Sequence, residues 1–110
     1  ELEDEGMFVA MNRFKVATGQ EEAFEAIWRN RNSTLKDMPG FVQFHMLRGK
    51  TFAEDGYTLY ASHTIWDSEQ HFSDWTKSEN FRAAHRNAGG HKAVYIGHPQ
   101  FEGFTAVEGA

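Results

Sequence analysis

An α+β fold, with helices packed on one face of an antiparallel sheet, is what this sequence predicts. Three observations carry that reading. Four separated stretches alternate apolar and polar side chains with the two-residue period of strands. A stretch with helical spacing lies between the first and second of them, and another between the third and fourth. The chain is also the right size, since 110 residues support one domain with a single core.

The elements follow in order. Residues 1–6 are acidic and are expected to be a disordered tail, part of it left from expression, ahead of a single domain over residues 7–108. Met7 to Ala17 reads as a strand, with Phe8, Ala10, Asn12, Phe14 and Val16 on one face and Met7, Val9, Met11, Arg13 and Lys15 on the other. Thr18-Gly19 turns the chain. From Gln20 to Leu35 a helical stripe runs through Ala23, Phe24, Ile27, Trp28 and Leu35, with Glu21, Glu22 and Glu25 near the N-terminus, where the helix dipole favours them. Pro39-Gly40 ends that region. Phe41 to Arg48 is the second strand, Lys50 to Gly56 a polar turn ending in the hairpin signal Asp55-Gly56, and Tyr57 to Trp66 the third strand. Asp67 and Ser68 can cap a short helix to about Thr76, and Ser78 another to about His85. Asn87 to Pro99 is read as a loop and Gln100 to Val107 as the last strand.

The resulting order, β-α-β-β-α-β, is the ferredoxin-like split βαβ. Its helices cover one face. Val9, Met11, Val42, Phe44, Met46 and Tyr60 are assigned to the other, more apolar surface than a monomer leaves in water. A homodimer packing two sheets into an α/β barrel would bury it.

Composition narrows the function classes. Eleven basic against sixteen acidic residues give a net charge of −5, which argues against nucleic acid as a partner. No run of apolar residues is long enough for a membrane span. Cysteine is absent, which removes disulfides, zinc–thiolate centres, iron–sulfur clusters and cysteine nucleophiles, and fits a cytoplasmic protein.

Several residues stand out as candidates for chemistry. Asn12 is polar on a strand face that otherwise looks toward the helices. Either it bonds a backbone group at a sheet edge, the commoner case, or it aims its amide into a pocket. Six histidines occur, at 45, 63, 71, 85, 91 and 98, and none forms an HxH, HxxxH or HExxH pattern. His85 differs by context: it follows Phe81, Ala83 and Ala84, so small neighbours leave room beside the imidazole. On spacing alone it is a helix-end histidine bonding terminal carbonyls, or a ligand. His71 is read as solvent-facing. Trp66 ends a strand and is read as core. Trp75 is either a core anchor or, with His85 ten positions on, one wall of a cavity. Arg29, Arg31, Arg82, Arg86 and Lys92 are solvated charge or a means of capturing an anion. No phosphate loop, dinucleotide fingerprint or nucleophile–base pair is present.

The stretches "AMNRFKVATG" and "TIWDSEQHFSDWTKSENFRAAH" resemble the IsdG-type haem-degrading monooxygenases of the antibiotic-biosynthesis-monooxygenase (ABM) superfamily, over about Met7 to Val107. The combination of Asn12, Trp75 and His85 is similar to that family's catalytic Asn, Trp and His. The resemblance implies haem as both cofactor and substrate, with His85 as axial ligand to the iron. It implies that Asn12 orients the opposite ligand and that Trp75 presses on the macrocycle. Trp28, Arg31, Phe81 and His85 form the expected haem-binding set. Electrons would come from an external reductase or small reductant, since no flavin or nicotinamide motif is seen. Two alternatives remain: a cofactor-independent ABM-fold oxygenase acting on a quinol or aromatic substrate, with His85 as base or as a hydrogen-bonding partner of the substrate, or a non-enzymatic haem-binding module.

Overall fold

A computed structural model describes residues 7–30, 35–78 and 94–110. Four strands form one antiparallel sheet in the order β2-β3-β1-β4, with β1 at Phe8–Ala17, β2 at Phe41–Phe52, β3 at Tyr57–Trp66 and β4 at Tyr95–Thr105. Helix α1 (Glu21–Arg29) follows β1 and helix α2 (Glu69–Thr76) follows β3. This is the split βαβ arrangement expected from the alternation of periods.

Strand β1 follows its pattern. Phe8, Ala10, Phe14 and Val16 are buried, while Arg13 and Lys15 on the opposite face are exposed. In α1, Glu21 and Glu22 occupy the first turn, and Glu21 Oε1 accepts from the Gly19 N–H at 2.9 Å, tying the helix start to the preceding turn. The helix ends at Arg29 rather than continuing to Leu35. Asn30, Asn32, Ser33 and Thr34 are poor helix-interior residues. Leu35 instead opens a single 3₁₀ turn, Leu35–Asp37.

Helix α2 starts as its cap dictates, with Ser68 Oγ accepting from the His71 N–H at 3.2 Å. His71 is half-buried rather than solvent-facing: its Nδ1 lies 2.8 Å from Ser68 Oγ, and its ring packs on Gly40 so closely that no side chain fits there. Gly40 also has φ +83°, a second reason for glycine. The helix expected from Ser78 to His85 lies outside the described residues. Ser78 itself donates through Oγ to the Trp75 carbonyl at 2.6 Å.

Two strands are longer than expected. The β2–β3 hairpin extends to Phe52, because Thr51 and Phe52 still pair with Thr58 and Tyr57, and the turn closes at Gly56, φ +81°. Strand β4 begins at Tyr95, five positions before Gln100, so His98 stands on a strand. Gly97 and Pro99 read as loop residues, yet β4 is an edge strand whose register shifts opposite Arg13 and Lys15, and an edge bulge accommodates both.

The helix face of the sheet also needs correcting. Tyr60 lies six residues before the fully buried Trp66 and shares its face. Tyr60 packs with Phe14, Val16 and Phe24, and Met46 and Phe44 pack on the same side. By strand register the open face carries Val9, Met11, Leu47, Leu59, Ile65, Ile96 and Phe104, together with the cross-strand pair His45–His63 and the ion pair Arg13–Glu102 at 3.1 Å. The open face therefore remains apolar, with Val9 and Met11 on it as expected and Phe44, Met46 and Tyr60 on the other.

Candidate active site

The strand register builds the site floor row by row. Phe44, Thr64, Ala10 and Gly103 form one row across the helix face of the four strands. Met46, Ser62, Asn12 and Phe101 form the next. Arg48, Tyr60 and Phe14 follow. The middle of this floor is small or polar. On either side it is aromatic.

One aromatic cluster joins Phe8, Ala10, Leu35, Trp66 and Trp75, with Met38, Phe41, Phe44 and Phe72 against it. Helix α2 delivers Trp75, whose ring centroid lies 5.6 Å from Trp66 and 6.2 Å from Phe72. The other cluster joins Phe14, Val16, Phe24 and Tyr60, with Trp28, Met46, Val94 and Tyr95. Helix α1 delivers Trp28, which stacks on Phe44 at 5.8 Å and 16° and meets Phe14 edge-on at 5.7 Å. Asn12 stands between the clusters. Its flanking neighbours on the face, Ala10 and Phe14, are buried and it is half-buried.

Asn12 is on a central strand, so it does not serve a sheet edge. Its amide makes no hydrogen bond among the described residues. A half-buried amide without a protein partner, between aromatic walls, is suited to hold a polar atom of a ligand. Trp28 and Trp75 come to the two sides of it, each in one of the clusters. Arg31, Phe81 and His85 lie outside the described residues, as do Arg82, Arg86, His91 and Lys92.

A polar group that the sequence does not reveal closes the β2 side. Glu25 Oε2 accepts from Tyr60 Oη at 2.5 Å and from Arg48 Nε at 3.1 Å, while Oε1 accepts from Arg29 Nη2 at 2.9 Å. Donation by Tyr60, then the two guanidiniums, holds the Glu25 carboxyl below the ordinary carboxylate value, against the effect of burial. Burial first, then the Glu25 carboxylate, pushes the Tyr60 phenol up to about 12. Next to it, Glu21 is held low chiefly by the hydrogen bond from Thr58 Oγ1, 2.8 Å. The Glu25–Arg29 spacing of four is visible in the sequence. Arg48 and Tyr60 join only through the pairing of β2 with β3. Between these charges and the Trp28–Phe44 stack lies a cleft of about 330 Å³, floored by Met46 and Tyr60.

The antibiotic biosynthesis monooxygenase family profile matches residues 7–87. A heme-degrading monooxygenase of Bacillus thuringiensis (strain Al Hakam) is 31% identical over 85 residues, which is 76% of each chain. Among solved structures, a Bacillus cereus protein assigned to the antibiotic biosynthesis monooxygenases superposes with a TM-score of 0.71 at 19% identity over 96% of both chains. SnoaB, a cofactor-independent oxygenase from Streptomyces nogalater, superposes with a TM-score of 0.65 at 22% identity, over 94% of this chain and 95% of its own. These two structural likenesses establish the shared fold.

Proposed function

The chain belongs to the antibiotic biosynthesis monooxygenase family, as an IsdG-type member, and we propose that within it the protein is a haem-degrading monooxygenase that opens the porphyrin ring with dioxygen and external electrons and releases iron. Family membership makes it an oxygenase-type enzyme. The observation that carries the finer reading is the Asn12 amide, without a partner among the described residues, between two aromatic clusters on the floor beneath α1 and α2. The relative named as a heme-degrading monooxygenase supports it.

The residues present fit haem. A flat apolar macrocycle needs a floor of small side chains and stacked aromatic walls; Ala10, Ser62 and Thr64 supply the first, and Trp28 on Phe44 and Trp75 on Trp66 the second. When bound, haem supplies both the iron that activates dioxygen and the ring that is opened. His85 would hold the haem iron, an assignment resting on its sequence context and the family resemblance. Asn12, whose amide makes no hydrogen bond among the described residues, would donate to a polar atom at the haem and orient it. Trp75, fixed by Trp66 and Phe72, would press on the macrocycle. Trp28, Arg31 and Phe81 would complete the haem-binding set that the family resemblance implies. A separate reductase or small reductant delivers electrons. The working unit is a cytoplasmic homodimer joined through the open sheet face. Among the described residues, no helix is long and apolar enough to cross a membrane.

Titration with ferric haem, followed by ascorbate under air, tests this reading. The expected result is a histidine-ligated Soret band at one haem per chain, then its loss on reduction, with iron captured by a chelator. No Soret band would make the protein a cofactor-independent oxygenase. A Soret band that survives reductant and air would make it a haem-binding module.

A further inference from the structure

We propose that Arg48 and Arg29 form an anion-binding end to the cleft and hold the carboxylate side chains on the rim of the substrate; this rests on haem, a dicarboxylate porphyrin, being that substrate. The first support is placement. Arg48 lies on the helix face of β2, one row beyond Met46, Ser62 and Asn12. Arg29 reaches the same cleft from α1, one residue after Trp28. The cleft is thus apolar and flat-walled where Trp28 stacks on Phe44, and cationic at its β2 end. That combination suits a planar apolar body carrying acidic arms at one edge.

The second support is charge. Of the cleft-lining groups, Glu25 is the one carboxylate and two are guanidiniums, with Glu21 acting on Arg48 from outside the lining. The nearby Glu21 is turned to Thr58 and the Gly19 N–H. The third support is free hydrogen-bonding capacity. Arg48 contacts Glu25 through Nε, which leaves both Nη groups for a ligand. Arg29 contacts it through Nη2, which leaves Nε and Nη1. The two side chains are 64% and 70% exposed. Glu25 acts as a positioning residue: it fixes both forks with their remaining donors outward.

The test compares binding of iron protoporphyrin IX with that of its dimethyl ester, which has the same ring and iron and no rim charge. The proteins are the full chain, Arg48→Gln and Arg29→Gln/Arg48→Gln, each checked for folding by circular dichroism. For the parent, the free acid should bind about tenfold or more tighter than the ester, the scale of one charge-assisted hydrogen bond. In the double variant that preference should fall to near unity while ester affinity stays unchanged. Equal affinity of the parent for both forms would overturn the proposal. So would a variant that weakens both forms alike with a lowered melting temperature, the mark of a purely structural tie. If neither form gives a Soret band with the parent, the haem reading itself has failed, and this inference falls with it.

Discussion

Asn12 on β1 and Ser62 on β3 stand directly opposite each other, the polar centre of a sheet face whose flanks are aromatic. Ser62 is buried and Asn12 half-buried, so the pair forms the floor of the site rather than its rim. The proposed chemistry turns on this relationship, because it places the Asn12 amide, without a hydrogen bond among the described residues, between the two aromatic clusters.

His85 is the proposed iron ligand. His85→Ala should abolish the histidine-ligated Soret spectrum and turnover together, whereas His91→Ala should alter haem affinity at most. A normal ferric spectrum in the first and a lost one in the second would move the ligand to His91.

Trp75 is buried among Trp66, Phe72 and Phe8, so its two roles must be separated. Trp75→Ala should cost about 3–5 kcal/mol of stability through the cavity it leaves. Trp75→Phe keeps most of the packing and should retain haem binding while losing most turnover. Parent-like degradation by a folded Trp75→Phe would make Trp75 a core anchor and nothing more.

The Tyr60–Glu25 hydrogen bond gives stability a defined pH dependence. The phenol is raised from 10.0 to about 12, so the folded state holds its proton more tightly than the unfolded state. Its contribution is complete below pH 10 and is lost as pH rises toward about 12. Glu25 is held below its ordinary 4.5, so its contribution is present above that value and is lost as pH falls through the lower folded one. Tyr60→Phe should flatten the alkaline limb and cost about 1.5–3 kcal/mol at neutral pH, the worth of a hydrogen bond to a charged group. Urea unfolding from pH 3 to 12 reads both limbs, and an unchanged alkaline limb would contradict the pairing.

Much of this architecture is legible in the sequence. The bounds of β3 and the start of α2 are, because turn signal, period and the Ser68 cap agree. The facing of Tyr60 is not obvious, because β3 turns Thr58, Ser62 and Thr64 toward the helices and so looks more polar on its buried side. Only its parity with Trp66 reveals it. The first residues of β4 hide behind Gly97 and Pro99, which an edge bulge tolerates. Asn12 is legible as a polar intruder on an apolar face. The Glu25, Arg48 and Tyr60 group is not, since it exists only once β2 is registered on β3 and α1 is laid across them.

The homodimer is tested at the open face. Phe104 is half-exposed there, so its replacement leaves the core intact. Phe104→Glu should weaken self-association about 30-fold or more, the scale of an aromatic anchor lost from an interface. Sedimentation equilibrium gives the answer, and a parent chain that is monomeric at micromolar concentration would contradict the barrel.

The most direct measurement is the aerobic turnover of Asn12→Ala against the parent at matched haem occupancy. The account predicts an unchanged Soret band and haem affinity, with ring opening slowed about 10²–10³-fold by the loss of one oriented hydrogen bond in a preorganised site. Ring opening at the parent rate would contradict it, and would reduce Asn12 to a structural residue of the sheet.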